Sequence, residues 1–294
     1  MTPHITALVI GLGIGGVYAL VATGYNLVFS SSGVFNLAQG DLVTLGGLLT
    51  ATFVVTLRWP ALLAFLPIVA TVAVVALVQQ RITIAPFLTR GHSPTGGWFI
   101  TTLGASVLIE NVAQRLWGGD PRAVPTLVPV TTVKIGPSPV RIEYLMAFGA
   151  AVVVTAALWW CQKRTTLGKI WVATAEDTDL AGRLGINTAR VAAGAFLVAA
   201  VISAIAGYLT VPVTTAIWNS GAGLSLYAFV AVTIGGLGTP LGPLVGGLLL
   251  GVIQEESALS IQANYQSALS LLILLAILLV RPTGIVGQRT ERAV

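Results

Sequence analysis

The sequence predicts an all-α fold, a polytopic bundle of transmembrane helices with eight or nine spans, some of them broken or re-entrant. The chain has 294 residues, of which 55% are hydrophobic and only 9% charged, whereas ordinary soluble domains carry about 25% charged residues. Its apolar runs recur at the length of roughly 20 residues that a helix needs to cross a bilayer. The alternating pattern of a membrane barrel is absent from the sequence, so helices are expected to pair the backbone groups in lipid.

Nine apolar segments are candidates for the spans. They are residues 5–29, 41–57, 61–80, 98–116, 143–162, 192–211, 225–240, 243–258 and 265–280. The first has no Lys or Arg before its apolar run, which favours a retained helix over a signal peptide. The seventh is short and rich in glycine, which favours a half-helix or a re-entrant segment. The N-terminus lies outside with nine spans and inside with eight, and the sequence leaves both open.

The basic residues orient this bundle. Loops 81–96 and 163–191 and the C-terminal tail carry most of the Lys and Arg, so they are predicted to be cytoplasmic. Loop 117–142 contains five prolines and a β-branched stretch, which predict an outer loop with a small hairpin that either docks a partner or caps the bundle. Residues 1–294 are therefore predicted to form one transmembrane domain of the cytoplasmic membrane. The spread of charge over loops argues against a nucleic-acid partner.

Glycines in two spans have a spacing that needs interpretation. The run from Gly11 to Gly16 fits a dinucleotide-binding pattern, but it has no preceding strand and no acidic residue about 20 positions on. Helix packing explains it better, because small residues let helix backbones approach closely in lipid. Gly11 and Gly15 are four residues apart, as are Gly242 and Gly246, so each pair is predicted to pack against another helix.

The residue types that catalysis or metal binding would need do not form a set in this sequence. The pair Gly168-Lys169 lacks both the preceding glycine and the following Ser or Thr of a Walker A loop. His4, His92 and the single cysteine, Cys161, are isolated from one another along the chain. We therefore expect no metal site, no ATPase site and no enzyme activity in this chain.

Polar residues within the apolar segments are the candidates for a solute path, because ionisable groups inside a membrane are costly and usually face a cavity. They are Asn36, Gln39, Asp41, Glu110 and Asn111. Two of them have structural alternatives. Asp41 could cap the helix that begins there, and Glu110 could pair with Arg115 or Arg141.

A cluster of charged residues, here called the charged island, interrupts the apolar sequence at residues 174–187. It predicts a short surface helix capped by Thr174, with acidic residues at its positive N-terminal end and Gly185 as its stop. Leu180 and Leu184 are four residues apart and give the helix an apolar face. The acidic start disfavours anionic lipid, so a protein partner is favoured over the membrane surface.

Five blocks of this sequence, in order, resemble the membrane permease subunits of branched-chain amino acid ABC importers of the high-affinity Leu/Ile/Val type. The blocks are residues 15–25, 33–41, 175–177 with 184–191, 235–242, and 281–287. The resemblance covers almost the whole chain and implies that the charged island docks in a cleft on an ATPase subunit. The implied coupling residues are Glu176, Asp177, Asp179, Leu180, Gly182, Arg183, Leu184 and Gly185. It also places the block around Asn36 beside a central path between two permeases.

The resemblance implies a permease that provides the path for a small solute, branched-chain or other amino acids. It implies a homologous or identical permease partner, two ATP-binding subunits that hold the ATP, and an extracytoplasmic binding protein. Gln39-Gly40-Asp41 stands where the family often has His then Glu, which leaves urea, short amides or aromatic acids as alternative solutes. An ion-driven secondary transporter is the alternative from another class, and it requires protonatable groups at mid-membrane.

Overall fold

The computed structural model describes residues 2–86, 97–128, 130–135, 138–260, 265–281 and 283–287. The described helices are α1 (Thr2–Ser32), α2 (Gln39–Thr50), α3 (Ala61–Thr83), α4 (Gly97–Trp117), α5 (Ile142–Arg164), α6 (Thr166–Glu176), α7 (Thr178–Arg183), α8 (Thr188–Thr210), α9 (Ser220–Gly235), α10 (Leu241–Ser260) and α11 (Gln266–Val280). A π-helical stretch, Ala51–Thr56, continues α2. Arg90, His92, Arg289 and Arg292 lie outside the described residues.

Loop 117–142 contains the predicted hairpin, and the first strand lies within the β-branched stretch of this loop. The strands are β1 (Thr132–Ile135) and β2 (Ser138–Arg141), paired antiparallel. The Arg122 and Ala216 backbones form a further antiparallel bridge, which joins this loop to the connection between α8 and α9. Strand β2 contacts α1 and α5, so the hairpin packs onto the bundle at the end where α5 begins.

Helices α1 and α8 form the centre of the bundle. Helix α1 packs against α5, α8, α9 and α10, and α8 also packs against α2 and α3. In both central helices 61% of the apolar window is buried, compared with 28% in α3 and 17% in α5. The outer helices thus leave apolar side chains exposed on a surface suited to lipid.

Four helices are long and apolar enough to cross a membrane, judged by length and composition among the described residues. They are Pro3–Ser32, Ala61–Thr83, Ile142–Arg164 and Thr188–Thr210. Helices α9 and α11 are also apolar but have only 16 and 15 residues. The chain is therefore a multi-pass membrane protein.

Glycines bring α1 and α10 into backbone contact. A Cβ at Gly15 would lie 2.7 Å from the Gly247 carbonyl oxygen, and one at Gly11 would lie 2.8 Å from the Val252 Cα. On α10, Gly242 and Gly246 face the last turn of α9 and leave no room for a side chain. These contacts hold three helices closer than larger residues would permit.

The chain between α1 and α2 is irregular and is buried by protein. Helix α1 ends where the Ser31 and Ser32 hydroxyls donate to the Val28 carbonyl oxygen, and Gly33 follows with φ +69°. The predicted seventh span, 225–240, is wrong in its bounds. Helix α9 begins at Ser220, and the glycine-rich residues 236–240 form its turn into α10, because Gly236 has φ +94° and ends the helix.

Candidate functional site

The charged island forms two helices rather than one. Helix α6 begins with Thr165, whose hydroxyl accepts a hydrogen bond from the Gly168 N–H at 3.0 Å. The predicted cap, Thr174, lies inside α6, is fully buried, and donates its hydroxyl to the Ile170 carbonyl oxygen at 2.8 Å. The cap prediction is therefore wrong, because the helix starts upstream of the acidic residues and ends at Glu176.

Asp177 separates α6 from α7. Its backbone is extended, with φ −149° and ψ 103°, and its carboxylate accepts a hydrogen bond from the Leu180 N–H at 2.8 Å. This is the geometry of an N-cap, so Asp177 has the role that the sequence assigned to Thr174. Two short helices joined by a capped bend replace the single predicted helix.

The end of α7 is tied to the start of α8. Gly185 has φ +88°, and the Ile186 N–H donates to the Ala181 carbonyl oxygen at 3.1 Å. The Asn187 side chain then accepts from the Arg190 N–H at 3.0 Å and caps α8. A stop and a cap only two residues apart leave little freedom between the two helices.

The apolar face of α7 is exposed. Leu180 is 54% exposed and Leu184 is 73% exposed, whereas Ala181 between them in sequence is buried. Glu176, Gly182 and Arg183 are also exposed. The side chain of Asp179 lies outside the described part of the chain. The segment thus presents two leucines outward, flanked by charged residues.

Trp171 anchors α6 to the transmembrane core. Its ring packs against the buried cluster that contains Leu20 and Leu27 of α1. Its indole N–H is buried and donates to no acceptor among the described residues. The ring therefore connects α6 to α1 by apolar packing.

Three of the predicted path residues lie together at the start of α2. Asn36 and Gln39 are fully buried, and the Asn36 side-chain amide donates to Oε1 of the Gln39 side chain at 3.3 Å. The Gln79 amide of α3 donates to Asn36 at 2.6 Å. Gln39 in turn donates to the Ser203 hydroxyl of α8 at 2.8 Å. These residues connect α2, α3 and α8 through hydrogen bonds.

Asp41 is 1% exposed, and neither of its carboxylate oxygens accepts a hydrogen bond from the residues that the structure describes. It does not cap α2, because the N-cap residue is Ala38. The carboxylate lies against Gly221 in the first turn of α9, where a side chain would collide with it. The positive end of that helix favours a negative charge at this position.

Glu110 and Asn111 are neighbours on α4, but only Glu110 is partly buried. Glu110 and Ser106 of α4 lie near the Asp41 carboxylate, at the contact between α2 and α4. Arg141 approaches Glu143 at 3.5 Å, so it is not the partner suggested for Glu110. Asn111 is exposed and donates to the Val107 carbonyl oxygen of its own helix at 2.7 Å.

Sequence reasoning missed a cavity at the end of the bundle opposite α6 and α7. Its volume is about 290 Å³, and its walls include Tyr18, Thr44, Thr210 and Tyr227. The Tyr18 and Tyr227 ring centroids are 5.2 Å apart. The signal that could have found it is the presence of tyrosine and threonine within otherwise aliphatic spans.

A bundle of apolar helices with a buried polar cluster and a rigid, capped segment at one end is the architecture of a membrane transport subunit. A family model described as "Branched-chain amino acid transport system / permease component" matches residues 7–278. The chain therefore belongs to the family of permease components of branched-chain amino acid transport systems.

Individual relatives agree with this family. BraD of Pseudomonas aeruginosa, a high-affinity branched-chain amino acid transport system permease protein, is 30% identical over 297 residues, which cover 97% of this chain and 96% of BraD. LivH of Escherichia coli, which has the same description, is 27% identical and covers 95% of this chain and 94% of LivH. The ribose import permease protein RbsC of Escherichia coli is 27% identical, and the match covers 89% of this chain and 81% of RbsC.

A solved structure supports the fold. The structure titled PsaBC from Streptococcus pneumoniae in complex with Fab superposes with a TM-score of 0.52 and covers 95% of this chain and 91% of that chain. The sequence identity is 12%, so this likeness concerns the arrangement of helices and nothing further.

Proposed function

We propose that this chain is one permease subunit of a bacterial ABC importer and provides the path for branched-chain or related amino acids. A homologous permease completes the path, two ATP-binding subunits bind the ATP, and an extracytoplasmic binding protein delivers the solute. The chain has no ATPase site of its own in this proposal. Family membership over residues 7–278 is the observation that carries it.

The coupling loop is assigned to residues 163–191, with α7 as the part that enters the ATPase subunit. Three features support this role: the exposed Leu180 and Leu184, the cap at Asp177 and the stop at Gly185. A segment held by a cap and a stop moves as a unit, and a rigid element transmits displacement better than a flexible loop. Trp171 would pass that displacement to α1.

Nine spans and an outer N-terminus are favoured over eight spans. His4 lies 2.9 Å from Glu256 near the end of α10, at the end of the bundle opposite α6. If α6 is cytoplasmic, as its basic flanks predict, residues 117–142 and the N-terminus share the outer side. The whole of 1–294 is then one transmembrane domain.

The solute path is assigned to the region around Asn36, Gln39 and Asp41, with Glu110 beside it. Burial of these polar side chains at the break between α1 and α2 supports the assignment, since irregular backbone at membrane depth is tolerated where it lies within protein or lines a cavity. Asn111 is less well supported, because it is exposed on α4.

The test replaces both exposed leucines of α7 with glutamate in the tagged chain, co-expressed with its partner subunits. The expected result is loss of the ATP-binding subunit on affinity purification and loss of solute-stimulated ATP hydrolysis, because two charges replace the apolar contact. Val130→Glu is the matched control, since Val130 is 53% exposed on the outer loop and far from α7 in sequence.

Retention of the ATPase subunit and of full stimulation by the double variant would sink the coupling role. A wild-type chain that purifies without partners and moves solute alone in liposomes would instead support the ion-driven transporter.

A further inference from the structure

The cavity at the outer end continues into a second one that contains a buried carboxylate. The second cavity has a volume of about 160 Å³ and shares Tyr18, Thr210, Thr214 and Leu224 with the first. Glu143, in the first turn of α5, lines it. Together the two cavities approach the size of small-molecule sites, roughly 300–1,000 Å³.

Glu143 is fully buried and only weakly compensated. Neither of its oxygens accepts a hydrogen bond within the described part of the chain. Its ion pair with Arg141 is 3.5 Å long and involves one oxygen, and the Arg141 side chain is itself 39% exposed. A buried carboxylate without donors is costly, so a ligand that supplies donors would gain free energy here.

Three hydroxyls of the cavity wall offer acceptors rather than donors. Tyr18 donates its hydrogen to Gln254 at 2.8 Å, Thr210 donates to the Ala206 carbonyl oxygen at 2.6 Å, and Thr214 donates to the Thr210 carbonyl oxygen at 3.1 Å. Each oxygen is therefore left with lone pairs only.

Part of the wall is aliphatic. Val43, Val211 and Ile217 line the larger cavity, and Ile14 and Val17 line the smaller one. An acceptor-rich, negatively charged end beside an aliphatic wall is complementary to a primary ammonium group that carries a short branched hydrocarbon chain.

We infer that this paired cavity is a solute-binding site within the single subunit, in which Glu143 receives the ammonium group of a small aliphatic α-amino acid. The inference rests on the proposed transport function and adds a residue that recognises the solute. The site lies where α8 ends and α9 begins, so it would receive solute on the outer side, before the buried cluster around Gln39.

The experiment measures ligand-induced shifts in the thermal unfolding midpoint of the intact importer complex, purified in mild detergent without its binding protein. The probes are L-leucine, 3-methylbutylamine, which lacks the carboxylate, and 4-methylpentanoate, which lacks the amine. Leucine and the amine are expected to raise the midpoint, and 4-methylpentanoate is expected to leave it unchanged. Equal shifts by the amine and the acid, or no shift by any probe, would overturn the assignment.

Two pairs of variants test whether ligand binding in the paired cavity causes the shift in the unfolding midpoint. Glu143→Gln should abolish the shift by the amine, whereas Glu256→Gln, at the partly exposed acid beside His4, should preserve it. Gly223→Leu should fill the larger cavity, since a Cβ there meets nothing within 4 Å, and Gly194→Leu on α8 is its control. A full shift in a folded Glu143→Gln or Gly223→Leu variant rejects the site.

Failure of this inference is distinguishable from failure of the proposed function. Leucine uptake by the complete importer in liposomes, together with an absent ligand shift, rejects the site and leaves the transport role in place. Absent uptake with the binding protein and ATP supplied rejects the transport role itself.

Discussion

Gln39 at the start of α2 donates a hydrogen bond from Nε2 to the hydroxyl of Ser203 in the middle of α8, at 2.8 Å and across 164 positions of sequence. Both side chains are fully buried. The bond fixes the depth at which the chain re-enters the bundle after α1, because the irregular residues before Gln39 form few regular backbone hydrogen bonds of their own.

Gln39→Ala should lower the stability of the assembled permease by about 1–3 kcal/mol, since Ser203 and Asn36 each lose a buried partner. The measurement is the thermal unfolding midpoint in detergent. Gln114→Ala is the control, because Gln114 is exposed on α4. Equal midpoints for the two variants would show that the hydrogen bonds to Gln39 contribute nothing net.

Gly15→Val should prevent α1 and α10 from packing together, because even a Cβ at Gly15 would lie 2.7 Å from the Gly247 carbonyl oxygen. Overpacking of this kind costs about 1–3 kcal/mol or more. The readout is the yield of monodisperse protein on size exclusion. Gly104→Val places the same side chain where nothing lies within 4 Å, and it should give the wild-type yield.

Asp177→Ala should weaken the start of α7 by about 1 kcal/mol through loss of the cap on the Leu180 N–H. Solute-stimulated ATP hydrolysis should fall, because α7 frays and transmits less displacement. Asp177→Asn should retain most of the stimulation, since asparagine caps as well as aspartate. If stimulated ATP hydrolysis fell as far in the asparagine variant as in the alanine variant, coupling would depend on the charge of Asp177 rather than on its cap.

Gly185→Ala should strain the link between α7 and α8, because φ there is +88° and an L-residue in that region costs about 1–2 kcal/mol. The expected result is reduced coupling, measured as the ratio of stimulated to basal ATP hydrolysis. Gly194→Ala is the matched variant, because Gly194 lies within α8 with open space around it. There alanine should be neutral or stabilising.

The sequence by itself determined that this is a multi-helix membrane protein and which long apolar stretches are helical. Each of the nine predicted spans overlaps a helix of the structure, because lipid forces backbone pairing within each segment. Glycine spacing also pointed to close helix contacts, since only small residues permit them.

Local sequence was a poorer guide to where the helices begin and end near the charged island. The sequence assigned the cap to Thr174. In the folded chain Trp171 packs against the core, which extends α6 through Thr174 and leaves the bend at Asp177.

Tertiary structure alone brought Gln39 to Ser203 and Glu143 to Tyr18. Periodicity identifies the face on which a residue lies, but it cannot say which distant helix meets that face. That pairing depends on the packing of the entire bundle, so the buried cluster around Gln39 and the paired cavity become visible only when all the helices are in place.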